Sequence, residues 1–296
     1  MDFRLAQILA WLLLGSVCHA AEYQCDTTRS CGCGSSAVEM TARILGGEEA
    51  VPYSWSMVVS IRYDFLGIGD PTMHFCGGTI LTDSYVLTAA NCVEGVQADL
   101  ELAEVSIAAG IHLRSQPRQA LRRVDQIVFH PNWTGSLLGY HHDLALLHLS
   151  EPLNFETNTF LSRTCLPSKA VAGETTHDNP DDERPLAMVG WGRTDPGGSD
   201  SDELRQATVS YIDSNTTECI QTITDPHGQF CAGVTGSNTG EQTLSQMVLY
   251  GLIDESLSRY RSLLWYVEYH GPKSSACSHL FLITRRFRWS TFRVDR

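Results

Sequence analysis

The sequence predicts an all-β fold, and three observations lead to this prediction. Short apolar runs of strand length follow one another along the chain, and β-branched or aromatic residues recur in them. Glycine and proline stand in the gaps, as in Asp195-Pro196-Gly197-Gly198. Hydrophobic residues make up 43% of the chain, which is enough for a large core and unlike a disordered composition. The predicted strands are residues 56–61, 78–81, 85–89, 105–109, 124–129, 144–149, 186–191, 207–212 and 229–232.

Residues 1–20 have the pattern of a secretory signal peptide. Arg4 gives a weakly positive start, residues 5–17 form a short apolar core, and Ala20 supplies a small residue for cleavage. The alternative is a buried helix of a cytosolic protein, but the position at residue 1 and the small-residue exit argue against it. The apolar stretch is too short to span a bilayer. We therefore expect a secreted, extracellular protein without a membrane span.

The cysteine content also fits secretion, because thiols pair in an oxidising compartment. The chain has 10 cysteines, and removal of Cys18 with the signal peptide leaves an odd number. At least one thiol is then single or pairs with another chain. In the same compartment, the Asn-X-Thr sequences at Asn132 and Asn215 become candidate glycosylation sites. The net charge of −13 repels a phosphate backbone, which excludes nucleic acid as a general partner.

Several short motifs follow one another along the chain, among them RILGG at 43–47, HDLALL at 142–147 and GWG at 190–192. In this order they resemble the motifs of a single family, the trypsin-like serine proteases of the chymotrypsin fold. The stretch RILGG at 43–47 is similar to the activation junction of the family's zymogens, with cleavage between Arg43 and Ile44. The stretch 75–92 (FCGGTIL followed by VLTAANC) resembles the histidine loop. The stretch HDLALL at 142–147 resembles the aspartate motif. The remaining motifs are TCLP at 164–167, GWG at 190–192 and FCAG at 230–233.

The resemblance implies two antiparallel six-stranded β-barrels with an active site between them. Residues 21–43 would then form a cysteine-rich, propeptide-like segment, and residues 44–243 the protease-like domain. Within that domain, the first barrel covers about 44–155 and the second about 156–243. We expect the second barrel to be incomplete, because the family's later motifs do not follow. Residues 244–296 form an anomalous tail.

The family's chemistry needs a serine hydroxyl as nucleophile, an imidazole as base and a buried aspartate that orients the imidazole. The aspartate is retained, because Asp143 stands in the matching motif. The histidine position, between Thr88-Ala89-Ala90 and Cys92, is occupied by Asn91. An amide does not accept and return a proton near neutral pH as imidazole does. General-base catalysis is therefore expected to fail.

The family's serine motif, Gly-Asp-Ser-Gly-Gly-Pro, is not found after Gly233. Ser245 is the nearest serine, but it lacks the glycines that expose the hydroxyl and present oxyanion-hole amides. We interpret it as an ordinary loop residue. The acidic residue that would pair with the Ile44 ammonium after cleavage is also missing. The sequence therefore predicts no nucleophilic serine and no measurable peptidase activity.

The resemblance also implies a disulfide pattern. Cys165 is placed like the cysteine that retains a propeptide, and Cys33 and Cys31 are alternative partners for it. Cys25 would pair with the remaining one, and Cys277 is left over. The pairs implied are Cys76–Cys92, Cys219–Cys231, and Cys165 with either Cys33 or Cys31.

The tail allows two interpretations. It is a new interaction segment with a basic, aromatic end at 285–289, or an abnormal translation product such as a frameshift. Permissible codons allow residues 266–272 to be read in a shifted frame as Cys-Gly-Val-Pro-Arg-Thr. This hexapeptide resembles a late segment of the family and favours the frameshift. The apolar runs of the tail are 247–253, 263–267 and 280–283.

Two functional hypotheses follow. The first is a secreted trypsin-like serine endopeptidase homologue that is inactive in this chain or encoded by a defective transcript. The second is a non-catalytic pseudoprotease that uses the fold to capture partners. The resemblance implies protein substrates or inhibitors as partners and no cofactor. We expect no metal, because the family's calcium-loop carboxylates are not evident at 110–116. Nothing in the sequence indicates an oligomeric state.

Overall fold

A computed structural model describes residues 21–23, 30–40, 47–64, 73–96, 104–116, 120–135, 137, 141–165, 185–192, 199–213, 215–222, 229–233, 247–251, 264–269 and 281–284. About half of these residues lie in β-strands and few lie in helices, which confirms the predicted fold class. The strands are β1 (Ala21–Tyr23), β2 (Val38–Met40), β3 (Glu48–Glu49), β4 (Val58–Asp64), β5 (Met73–Ile80), β6 (Tyr85–Thr88), β7 (Glu104–Ala109), β8 (Ala120–Phe129), β9 (Ala145–Leu149), β10 (Pro185–Gly190), β11 (Arg205–Ile212), β12 (Gln229–Gly233), β13 (Met247–Gly251), β14 (Leu264–Tyr269) and β15 (Phe281–Thr284). The described helices are α1 (Ala90–Glu94) and α2 (Thr217–Thr222). Neither is long and apolar enough to cross a membrane.

Six antiparallel strands close the first barrel in the order β4-β5-β6-β9-β8-β7. Alternating apolar residues fill its interior, and Val59, Ile107 and Leu147 are fully buried there. In β8 the buried residues Val124 and Ile127 are three positions apart instead of two. A β-bulge between Val124 and Gln126 explains this spacing, because the extra residue reverses the side-chain alternation.

The second sheet runs in the order β10-β13-β14-β15-β12-β11-β3, and β10 also pairs with β11. That additional pairing returns the sheet to its first strand and makes a ring of six strands. Three of the six, β13 to β15, come from the tail, which differs from the prediction of an incomplete barrel. The apolar runs of the tail explain the difference, because each is long enough to form a strand that pairs with its neighbour.

Residues 30–40, which we call the N-terminal strap, lie against the rest of the protein. Cys31 forms a disulfide with Cys165, with 5.1 Å between the Cα atoms. Beside it, the Gly32 backbone nitrogen donates a hydrogen bond of 2.7 Å to the Arg163 carbonyl. This backbone contact brings Cys31 opposite Cys165, so the structure selects Cys31 over Cys33 as the partner. Cys33 is also disulfide-bonded.

The strap is also held by apolar packing and by one buried amide. Val38 and Met40 are buried in a cluster with Trp55 and Trp191. The Gln206 amide nitrogen donates to the carbonyl of Glu39, which is in the strap, and to Oε1 of Glu48 at 3.0 Å. Its Oε1 accepts a hydrogen bond from the Trp55 indole at 2.8 Å. One side chain therefore ties together the segments before and after the predicted cleavage junction.

Two further disulfides match the pairs that the resemblance implies. One joins Cys76 to Cys92 and the other joins Cys219 to Cys231. The first links β5 to α1 and so fixes the helix that follows β6. Cys25 and Cys277 lie outside the described residues.

We expect the double variant Cys31→Ser/Cys165→Ser to lose about 4–5 kcal/mol of unfolding free energy. The Cys31–Cys165 bond closes a loop with a sequence separation of 134, which restricts the unfolded chain strongly. Urea denaturation against the unmodified protein measures the loss. The matched control is Cys76→Ser/Cys92→Ser, whose sequence separation is only 16 and whose entropic loss should be smaller. Equal stability of the unmodified protein and the Cys31/Cys165 variant would contradict the expectation.

Candidate active site

The candidate site lies where β6 turns into α1 and where the chain enters β9. After Thr88, Ala89 keeps an extended backbone and α1 begins at Ala90, so Asn91 stands in the first turn of the helix. Ala89 and Ala90 are fully buried, and the Thr88 hydroxyl donates to the Gly77 carbonyl at 2.9 Å. Small buried side chains thus let this turn pack closely against the barrel.

Asp143 lies two residues before β9 and follows a residue with an unusual backbone. His142 has a φ of 55°, and the Leu144 nitrogen donates to the His142 carbonyl at 2.7 Å. This tight turn directs the chain into β9. The Asp143 side chain is only 3% exposed. A buried carboxylate needs hydrogen-bond donors, because burial without them is costly.

Asn91 supplies two of those donors. Its backbone nitrogen donates to Oδ1 of Asp143 at 2.8 Å, and its Nδ2 donates to Oδ2 at 2.7 Å. An ionised carboxylate only accepts hydrogen bonds, so the amide must present its nitrogen to Asp143 and its oxygen elsewhere. The structure therefore brings together the two described site residues that the sequence singles out. They are 52 positions apart along the chain.

The pair can hold an orientation but cannot move a proton. In a serine protease, the buried aspartate orients an imidazole that takes the proton of the serine hydroxyl and returns it to the leaving group. Here the same kind of carboxylate orients an amide. The Nδ2 of an amide does not ionise near neutral pH, and its oxygen is a very weak base. Asp143 therefore has a hydrogen-bond partner in Asn91, but this partner cannot act as a general base.

Two stacked imidazoles lie beside the pair. The rings of His130 and His142 are parallel to within 8°, with 4.7 Å between their centres. The Asn132 backbone nitrogen donates to Nδ1 of His130 at 3.2 Å. Burial, and to a smaller extent the electrostatic effect of His142, lowers the pKa of His130 to about 4. His130 is therefore neutral at pH 7, with its Nδ1 occupied as an acceptor.

Another buried histidine is His74, which lies outside the catalytic motifs and has no functional role predicted from the sequence. It is 6% exposed, and its Nδ1 lies 2.9 Å from the Ser60 hydroxyl. The Arg62 Nε in turn donates to that hydroxyl at 3.2 Å, and the His74 ring meets Trp191 edge to face. Burial lowers the pKa of His74 to about 3, and the nearby cations of Arg114 and Arg62 add to the effect. The strand pattern around 58–61 and 78–81 gave no sign that a histidine would be buried here.

Other predicted residues are placed as follows. Asn132 and Asn215 are both exposed. Arg43, Ile44 and Ser245 lie outside the described residues. Within the described ranges, no group of three or more histidine, cysteine, aspartate or glutamate side chains could hold a metal ion.

The structure has a closed β-barrel, a second antiparallel sheet and a buried aspartate that faces the start of α1. These features are those of the chymotrypsin-fold class of serine protease homologues. The family model described as Trypsin matches residues 44–242. The chain therefore belongs to the trypsin family. That membership fixes ancestry and fold, and the activity of this chain depends on its own residues.

Curated relatives are similar over much of the chain. Chymotrypsin-C of Mus musculus is 31% identical over 208 residues, which cover 69% of each protein. Chymotrypsin-like elastase family member 1 of Homo sapiens is 29% identical over 226 residues, covering 74% of this chain and 80% of the relative. Against chymotrypsin-C of Bos taurus, at 30% identity over 191 residues, the chain spans 63% of the relative's length.

A solved structure supports the fold. The structure described as neuropsin, a serine protease expressed in the limbic system of mouse brain, superposes with a TM-score of 0.59. The match covers 82% of this chain and 94% of neuropsin, at 23% sequence identity.

Proposed function

We propose that this chain is a secreted pseudoprotease, a member of the trypsin family that does not hydrolyse peptide bonds. One observation carries the proposal: both hydrogen-bond donors of Asn91 are directed at Asp143, in the position where the family places its catalytic histidine. Loss of the general base lowers the rate of a serine protease by many thousandfold. The absence of the serine motif from the sequence removes the nucleophile as well.

Secretion is supported by the apolar N-terminal pattern and by the disulfides at Cys31–Cys165, Cys76–Cys92 and Cys219–Cys231. Structural disulfides persist in oxidising compartments. We also propose that the propeptide-like segment stays attached to the rest of the protein after any cut between Arg43 and Ile44. Its attachment is the N-terminal strap, which the Cys31–Cys165 disulfide holds in place. Asp143 acts in this protein as a structural acceptor for Asn91.

A non-catalytic binding role is the second candidate. It needs a folded second barrel, because an open sheet edge favours aggregation. Pairing of β13 with β10 and of β15 with β12 supports it, since the tail then covers both edges. The partners would be proteins of the kinds that bind active relatives, namely protein substrates or inhibitors. Monodisperse secreted protein that binds a small inhibitor of trypsin-like proteases would support this role.

We expect the secreted protein, after cleavage at Arg43, to hydrolyse peptide substrates at least about 10⁴-fold more slowly than an active trypsin-family enzyme. The test panel carries basic, aromatic, aliphatic and small residues before the scissile bond. A fluorophosphonate probe, which acylates activated serines, should leave the protein unlabelled. Labelling of the unaltered protein would contradict the proposal.

The variant Asn91→His separates the two lesions. If the chain has no nucleophilic serine, the fluorophosphonate probe should not label this variant either, although the histidine base is restored. If it becomes labelled, a serine outside the described residues is competent, and Asn91 is the sole lesion. That second outcome would contradict the missing-serine part of the proposal and leave the missing-base part in place.

A further inference from the structure

We propose that Asn132 carries an N-linked glycan that begins at the rim of the candidate active site. The inference rests on the secretion part of the proposed function, because the modification occurs in the secretory pathway. The sequence Asn132-Trp133-Thr134 contains the acceptor pattern. The fold places this pattern in the connection between β8 and β9.

The sequon lies in a short loop that is fixed at its start to the segment that carries Asp143. The His130 backbone nitrogen donates to the Leu144 carbonyl at 2.9 Å, one residue beyond Asp143. The Trp133 nitrogen donates to the His130 carbonyl at 2.8 Å, which closes a turn around Asn132. The first half of the loop is therefore rigidly connected to the site.

The other end of the loop meets the helix that carries Asn91. Gly135 has a φ of 96°, and a Cβ added there would lie 3.1 Å from Oε1 of Glu94, the last residue of α1. The loop thus extends from the Asp143 segment to α1. Asn132 lies between these two contacts along the chain, so a sugar on its side chain starts on the loop that joins the segment of Asp143 to the helix of Asn91.

Within the sequon, the middle residue packs against the protein and the residues on either side of it face solvent. Trp133 packs against the core of the first barrel. Asn132 and Thr134 on either side of it are exposed. Among the described residues, the Asn132 side chain makes no hydrogen bond that a sugar would disrupt. The folded protein can therefore accommodate a glycan here without loss of packing.

The second sequon differs in this respect. Asn215 is exposed, but its Nδ2 donates to Oδ1 of Asp213 at 2.9 Å, and its backbone nitrogen bonds the same carboxylate at 2.8 Å. Its side chain thus helps to fix the turn before α2, which belongs to the second barrel region. A glycan there would begin far along the chain from α1 and would replace one of the hydrogens on an engaged nitrogen.

The chemical step is a glycosyl transfer from a lipid-linked oligosaccharide pyrophosphate. A bond forms between Nδ2 of Asn132 and C1 of the first sugar, and the bond between C1 and the pyrophosphate oxygen breaks. The lipid pyrophosphate leaves, and Nδ2 loses one proton. The Thr134 hydroxyl is the part of the acceptor pattern that this transfer requires.

The test uses the full chain secreted from a eukaryotic cell line and analysed by peptide mass spectrometry. Treatment with an enzyme that removes N-glycans converts a glycosylated asparagine into aspartate. We expect this conversion at position 132 in the unaltered protein, and a corresponding loss of mass of the intact chain. Asn132→Gln and Thr134→Ala should both lack the modification at this position. Thr134→Ser, which keeps the acceptor hydroxyl, should retain it.

Three outcomes would overturn the inference. A secreted protein whose peptide contains only unmodified Asn132 contradicts it directly. Modification at Asn215 and not at Asn132 also contradicts it, although secretion then stands. Retention of the chain in the cytosol without any glycan contradicts both the inference and the secretion on which it rests. None of these results depends on peptidase activity, so the inactive-site proposal is tested separately.

Discussion

Replacement of Asp143 by alanine is expected to lower the free energy of unfolding by about 4 kcal/mol. The carboxylate is buried and accepts hydrogen bonds from the backbone nitrogen and the Nδ2 of Asn91. Alanine would leave both donors of the half-buried Asn91 without this acceptor. Each buried donor that loses its acceptor costs roughly 1–3 kcal/mol, and the lost side chain also leaves a small cavity. Urea denaturation followed by far-UV circular dichroism measures the change.

Two matched variants identify the origin of this loss. Asn91→Ala removes the Nδ2 donor and keeps the backbone donor, so it should cost about 1–2 kcal/mol. Asp143→Asn keeps the shape but turns one acceptor into a donor that faces Nδ2, so we expect an intermediate loss. In the double variant Asn91→Ala/Asp143→Ala, the cost should be smaller than the sum of the two single costs, because the side chains are in contact. A loss below about 1 kcal/mol for Asp143→Ala would show that the hydrogen bonds contribute little.

The Asn91–Asp143 contact illustrates how far the sequence could predict the site. Strand periodicity placed an apolar run at 144–149, and the structure has β9 at Ala145–Leu149. Periodicity cannot show that the residue before this strand faces a helix that begins at Ala90. The resemblance to a family supplied that proximity. The identity of residue 91, read from the sequence, then determined what chemistry the pair can perform.

Other features could not be predicted because they depend on contacts between distant segments. The tail was expected to leave the second barrel incomplete, but β13 pairs with β10 in a register from Leu186–Gly251 to Gly190–Met247. An apolar run predicts a strand and does not name the strand's partner. Similarly, Cys31 and Cys33 are chemically equivalent in the sequence. The Gly32–Arg163 hydrogen bond, which decides between them, is visible only in the fold.

The burial of His74 escaped prediction for a local reason. The register between β4 and β5 shifts between Ile61 and Arg62, so strict alternation fails at this point. Arg62 and His74 are cross-strand partners, and both are buried. Two basic side chains that face each other are normally assigned to the solvent side of a sheet. Here the Ser60 hydroxyl lies between them and bonds both, and burial keeps the imidazole neutral.

This buried imidazole makes the protein sensitive to acid. Burial lowers the pKa of His74 to about 3, whereas an unfolded chain has a histidine pKa near 6.5. Between these values the unfolded state binds a proton that the folded state does not. The free energy of unfolding therefore rises with pH across this window. The contribution of His74 is fully present above pH 6.5 and is lost as the pH falls through the window. The loss from His74 amounts to about 4–5 kcal/mol between pH 6.5 and pH 3. His130, whose pKa is lowered to about 4, acts in the same direction.

The variant His74→Asn isolates the contribution of this residue. Its side-chain amide can hydrogen-bond the Ser60 hydroxyl in place of Nδ1, but the amide does not titrate in this range. At pH 7 the variant should be less stable than the parent protein, because it fills less space beside Trp191. Between pH 6 and pH 4 the stability of the parent should fall faster than that of the variant. The expected difference in slope is close to one proton, or about 1.4 kcal/mol per pH unit.

Urea denaturation of both proteins at pH 7, 6, 5 and 4 measures the two slopes. Parallel slopes would mean that His74 is protonated in the folded state, and the buried Arg62–Ser60–His74 chain would then have to accommodate two positive charges.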